Sequence, residues 1–245
     1  MHAEGYGFES HLIHTNLMIM KRYTLVFLLF SLISNISISQ DTSKFSVNAG
    51  CDIVSRYIWR GQEYYNSPAF QPILSITSNG LFLTFFGSHS FQNTQFQESH
   101  TSIGWSNDLF SISLVDYYFY DAFGNDRYFK YDKNVTGHTL SIDASVTMSE
   151  EFPFTVLASY NIYGADTMYS NYIEMSYKNT GKIPLSFFVG FTGSDGWYGD
   201  GIGFVNTGIS YNKLLNIGNV KLPTYIKVIA NPQKERLYIV FSVSL

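Results

Sequence analysis

The sequence predicts an all-β protein: a closed, antiparallel, up-and-down transmembrane β-barrel of about twelve strands. Three observations carry that prediction. Residues 45–60 (FSVNAGCDIVSRYIWR) place Phe45, Val47, Ala49, Cys51, Ile53, Tyr57 and Trp59 on one face and Ser46, Asn48, Asp52, Arg56 and Arg60 on the other. Successive strand side chains point to opposite faces, so this period of two gives one apolar and one polar surface. The pattern recurs to the end of the chain, behind an export signal. Composition agrees: aromatic residues make up 18% and charged residues only 14%, where ordinary soluble domains carry roughly 25% charged residues. Barrels use such aromatics in belts at the two membrane interfaces.

The export signal comes first along the chain. Lys21 and Arg22 form a positive region, residues 25–33 (LVFLLFSLI) a short apolar stretch, and Ser37 and Ser39 a small-x-small pattern, the layout of a secretory signal peptide. The stretch is shorter than the roughly 20 apolar residues a membrane-spanning helix needs. Residues 1–19 are read as a mis-assigned N-terminal extension, 20–39 as the signal peptide and 40–245 as the barrel domain. Met1, Met18 and Met20 are the candidate starts. N-terminal sequencing of envelope material is expected to begin near Gln40, and a mature protein retaining residues 1–39 would end this reading.

The strands follow in order from alternation and turn residues. They are expected at 45–60, 69–78, 81–91, 95–106, 109–120, 137–148, 154–163, 169–178, 183–192, 202–212, 220–230 and 236–245. Short turns fall at Ser78-Asn79-Gly80, Ser106-Asn107-Asp108, 149–153, 179–182 and 213–219. The joints between them, including 61–68, 122–134, 164–170 and 193–201, are longer and rich in Tyr, Asp and Gly. Short turns alternating with long loops, and an even strand number, are the barrel signature.

The interior is expected to hold Asp52, Arg56, Arg60, Glu98, Asp143, Glu174 and Lys227, while Tyr57 and Trp59 are expected in the outward aromatic girdle. Opposite charges should pair across the barrel, because an unpaired buried charge is costly. Glu98 or Glu174 is the expected partner of Arg60. Twelve strands lie between the eight that side chains fill and the sixteen that leave an open channel. The lumen is therefore expected to be narrow or plugged, with 122–134 the longest candidate plug.

Other chemistries are poorly represented. Cys51 is the only cysteine of the chain and falls on the apolar face. His89, His100 and His138 lack ligand spacing to one another, so no metal or cofactor is expected. No GxSxG elbow accompanies them, so no catalytic residue is assigned, although His100 and Ser102 share a face. Removing Lys21, Arg22, Glu4 and Glu9 with the leader leaves 13 basic and 17 acidic residues, which gives no basic footprint for nucleic acid.

Residues 55–62 (SRYIWRGQ), followed by PAFQPILS at 68–75 and an Asn-Gly turn, resemble the opening of the TorF-like porin family, also catalogued as Gcw_chp. Ser55, Tyr57, Arg60 and Gly61 match its first-strand pattern, and Pro68, Ala69 and Gln71 its second. Residues 171–177 (NYIEMSY) are similar to its paired-strand pattern. The resemblance implies a bacterial outer-membrane barrel. Its partners would be outer-membrane lipid, the barrel-assembly machinery and small polar solutes. Ending in Leu245 where many barrels end in Phe is a departure, although Phe241 and the alternating tail remain. The competing expectations are a non-conducting structural or adhesive barrel and an outer-membrane lipid hydrolase.

Overall fold

Asn-Gly and Asn-Asp turns, set between alternating segments, fold the chain back on itself strand after strand until the sheet closes. A computed structural model describes residues 45–92, 97–120, 127–133, 135–149, 151–179, 181 and 183–245. The leader and the cleavage region lie outside the described residues. The strands are β1 (Phe45–Val54), β2 (Tyr57–Trp59), β3 (Gln62–Tyr65), β4 (Ala69–Ser78), β5 (Leu81–Ser90), β6 (Glu98–Ser106), β7 (Phe110–Phe119), β8 (His138–Thr147), β9 (Phe154–Gly164), β10 (Asn171–Lys178), β11 (Leu185–Thr192), β12 (Gly203–Ile217), β13 (Val220–Asn231) and β14 (Arg236–Ser244). Twelve of them form a closed antiparallel barrel in the order β1-β4-β5 and onward to β14, which returns to β1. The remaining two, β2 and β3, pair only with each other.

The turns follow their residues. Asn79 and Gly80 both take positive φ, at 51° and 86°, as a two-residue hairpin loop requires. The Asn107 side-chain oxygen accepts the amides of Leu109 at 3.0 Å and Phe110 at 2.7 Å, an Asx turn. One end of the barrel carries these short turns and the other carries the long loops.

The pleat sorts the two faces as the alternation predicts. Ile53, Phe70, Ile103, Leu114, Ile142 and Phe241 point outward and are exposed, Ile103 at 59% and Phe241 at 54%. Gln71, Ser88, Glu98, Ser141, Asn206 and Ser210 point inward and are buried. Cys51 shares the outward face of β1 with Ile53. The barrel is inside-out relative to a water-soluble one: polar within, apolar without.

Closure is uneven. β1 is in register with β4 over ten pairs, from Phe45↔Ser78 to Val54↔Ala69. It meets β14 over three, Asp52↔Ser244, Ile53↔Val243 and Val54↔Ser242. Two further backbone hydrogen bonds, from Cys51 N to Leu245 O at 3.2 Å and from Leu245 N to Cys51 O at 2.8 Å, complete this seam.

Two expectations are corrected. The first strand stops at Val54 instead of running to Arg60, because the Ser55 hydroxyl takes the Phe241 amide at 3.0 Å and the Ser55 amide donates to Phe241 O at 2.8 Å. With β14 thus capped, the chain leaves the wall. At the other correction, β12 continues through residues 213–217, and its turn shrinks to the two residues before Val220.

Candidate functional site

The chain between β1 and β4 does not loop away from the barrel; it folds into it. Trp59 pairs with Gln62, and the two residues between them, Arg60 and Gly61, take φ of 50° and 77°. Positive φ at both central positions makes a tight hairpin of the I′ type. A Cβ on Gly61 would stand 1.9 Å from Val205 O on β12, so only glycine lets the tip reach that wall. The Asn231 side-chain amide donates to Gly61 O at 3.0 Å.

Aromatic side chains fill the space around the hairpin. Tyr57, Tyr65, Val54 and Ala69 form one buried cluster, with Trp59, Tyr64 and Tyr225 packed against it. The Trp59 ring lies 5.2 Å from Tyr117 and 5.6 Å from Tyr198. Tyr64 stacks on Phe119 at 5.9 Å. Tyr57 and Trp59 therefore belong to the lumen and not to the outward girdle. They sit beyond the point where the strand ends, so the outward face of β1 does not continue to them.

Arg60 crosses to the opposite wall. Its Nη2 donates to Asp143 Oδ2 on β8 at 3.0 Å, and its Nη1 donates to Ser159 Oγ at 2.9 Å and the Tyr198 hydroxyl at 2.6 Å. The guanidinium is also 4.6 Å from the Trp59 ring centre and 4.8 Å from that of Tyr172, within cation–π range. Asp143 accepts further hydrogen bonds from Ser141 at 2.6 Å, Tyr117 at 3.3 Å and Ser159. The partner of Arg60 is thus Asp143, and not Glu98 or Glu174. All three carboxylates face inward, and barrel geometry selects the one that the tip reaches. Gln62 Nε2 donates to Tyr198 O at 2.7 Å, and Lys234 donates to Gln62 Oε1.

The other five expected lumen residues each find a different setting. Arg56 pairs with Glu63 at 3.2 Å across the base of the hairpin, where both are about one-third exposed. Such a pair contributes at most ~1 kcal/mol. Glu98, fully buried, has Oε1 3.1 Å from His100 Nε2. Glu174 accepts from the Tyr172 hydroxyl at 2.5 Å and from Asn206 Nδ2 at 3.0 Å. Lys227 lies 4.4 Å from the Tyr225 ring. Asp52 faces inward from β1, level with Gln71 and Ser244.

Beneath the hairpin, toward the short-turn end, lies a cavity of about 750 Å³. Trp59, Arg60 and Ile58 form its roof, Glu174, Asn206, Ser210 and Lys227 its wall, and Lys178, Asn179 and Pro184 its mouth.

The one loop expected as a plug, 122–134, behaves otherwise. Its described part, residues 127–133, is held on side chains that point out of the barrel. His138 Nδ1 is 2.8 Å from Asp116 Oδ1 and its Nε2 bonds to Tyr128 O. Tyr131 stacks on the His138 ring at 4.0 Å and donates to Asp116 at 2.7 Å. Burial and the neighbouring Asp116 carboxylate push the Tyr131 hydroxyl pKa upward, which keeps it a donor. Residues 122–126 and 134 lie outside the described residues. Sequence reasoning missed the Asp116–His138 pair, which is 22 positions apart and carries no local motif.

His89 points outward, with Nδ1 3.2 Å from Gln97, away from His100 and His138. Among the described residues no group of three His, Cys, Asp or Glu side chains is placed to hold a metal. Compared with known protein families, curated proteins and solved structures, the chain has no match.

Proposed function

We propose that this chain is an outer-membrane protein of a Gram-negative-type bacterium, exported through a cleaved signal peptide. Within that membrane it acts as a narrow channel for small polar solutes, constricted by the β2–β3 hairpin. The membrane placement rests on the inverted barrel. An exposed apolar outer face around a hydrogen-bonded, ion-paired interior is stable in lipid, where a closed barrel leaves no backbone group unpaired. The long-loop end then faces outside and the short-turn end faces the periplasm. Outer-membrane lipid and the barrel-assembly machinery are the implied partners. No enzymatic activity, cofactor or nucleic-acid partner is part of this reading.

One observation carries the channel reading: the constriction is a separate two-stranded element, bonded to the walls by side chains and not woven into the sheet. A lumen packed permanently shut needs no such element. The resemblance to the TorF-like porin family points the same way, since the matching Ser55, Tyr57, Arg60 and Gly61 are the residues that start and tip this hairpin. The same hairpin also spans the lumen, which favours the second reading, a non-conducting structural or adhesive barrel.

Planar-bilayer recording of refolded protein separates the two. Wild type is expected to show small, brief openings, and replacing residues 56–66 by a short Gly-Ser link should enlarge and prolong them. Silence from both proteins in every salt tried would remove the channel and leave the non-conducting barrel.

A further inference from the structure

We propose that the chamber under the hairpin is a binding site for a small hydroxylated ring carboxylate of the sugar-acid type, with Lys227 holding the carboxylate and Glu174, Asn206 and Ser210 taking the hydroxyls. This deepens the solute reading above and rests on it only for the compartment into which the chamber opens. The volume of about 750 Å³ falls within the ~300–1,000 Å³ of small-molecule sites.

The wall dictates the chemistry of the occupant. Asn206 and Ser210 line the chamber, and their buried Oδ1 and Oγ have no hydrogen-bond partner among the described residues. A buried polar atom left in that state is unfavourable, so the site favours a ligand that supplies the missing bonds. Asn206 Nδ2 is already committed to Glu174 and Tyr172, which fixes the amide and leaves its oxygen as the unpartnered acceptor. Glu174 is also an acceptor. An occupant must therefore bring hydrogen-bond donors to this level.

Four residues further along β12, about 13 Å of strand, Ser210 stands level with Lys227. Neither Lys227 nor Lys178 at the mouth has a carboxylate within ion-pair distance among the described residues, whereas Arg60 is neutralised by Asp143. The lysine end calls for an anion. A phosphate fits the lysines, but it sets a concentrated negative charge beside Glu174 and has no ring of hydroxyl donors, and a cation meets two lysines. Trp59, Tyr172 and Phe188 add flat apolar faces to the lining, suited to the C–H faces of a sugar ring.

Titration calorimetry on refolded barrel in detergent tests this with D-glucuronate and D-galacturonate, against D-glucose and propionate. At least one uronate should bind saturably, about tenfold more tightly than glucose, the worth of one charge-assisted hydrogen bond. Lys227→Gln should bring the uronate down to the level of glucose, and Lys227→Arg should keep most of the affinity, with heat-modifiability on gels confirming both fold. No saturable uronate binding to wild type, unchanged affinity in Lys227→Gln, or propionate binding as tightly as the uronates would each overturn the proposal. A barrel that binds uronate yet passes no current loses the channel and keeps this site. A conducting barrel that binds none does the reverse.

Discussion

Arg60→Ala should loosen the hairpin and open the lumen. The substitution removes three hydrogen bonds at once, to Asp143, Ser159 and Tyr198, and leaves the Asp143 carboxylate, 14% exposed, without its cation. Breaking one side of a buried pair costs about 3–5 kcal/mol. The urea midpoint of the folded barrel should fall accordingly, while conductance and open time rise. The lumen also gains a net negative charge, so cation preference should increase, and the change should shrink at high salt as screening shortens. Arg60→Ala/Asp143→Ala should recover part of the lost stability, because no orphan charge remains. It should not recover all of it, since Ser141 and Tyr117 lose their acceptor. An Arg60→Ala barrel with wild-type midpoint and wild-type current would mean that the hairpin is not held by this residue.

Ile142→Arg should block assembly into a bilayer. Ile142 points outward from the middle of β8, 44% exposed, level with Leu114 and Tyr160. An arginine facing lipid near the midplane costs about 2–4 kcal/mol. The comparison requires an inward position on the same strand. Ser141 is unsuitable, since it is fully buried and bonded to Asp143. Ser145, inward and partly exposed, has room toward the lumen. Folding yield into lipid vesicles, read as the heat-modifiable fraction, should collapse for Ile142→Arg and hold for Ser145→Arg. Equal yields would place lipid elsewhere than on this face.

Most of the wall was legible because a strand's period and a turn's φ are local properties. β4 falls at 69–78 as expected, since Asn79-Gly80 can hardly form anything but a tight turn and the alternation before it is unbroken. Residues 213–219 are expected as a turn, whereas the structure keeps 213–217 in β12, with the adjacent Leu214 and Leu215 both exposed. Two signs in the sequence mark the hairpin. Val54 and Ile58 fall on the face assigned to water, and sixteen residues from 45 to 60 exceed the ~9–11 that a membrane strand needs. What no local pattern carries is partnership. Asp143 is 83 positions from Arg60, and only closure of the barrel brings it, rather than Glu98 or Glu174, under the guanidinium.

The short seam between β1 and β14 sets the order of events in folding. Every other neighbour in the wall is next along the chain, apart from the inserted hairpin, and can zip locally. This one joins positions 52 and 244, so it carries the largest loop-closure entropy and should form late. Cys51, the sole thiol of the chain, sits on that edge, its backbone bonded to Leu245. A fluorophore or maleimide placed there reads the clasp directly. The molecule carries a built-in timer for the moment its two ends meet, with no cysteine to add and none to remove.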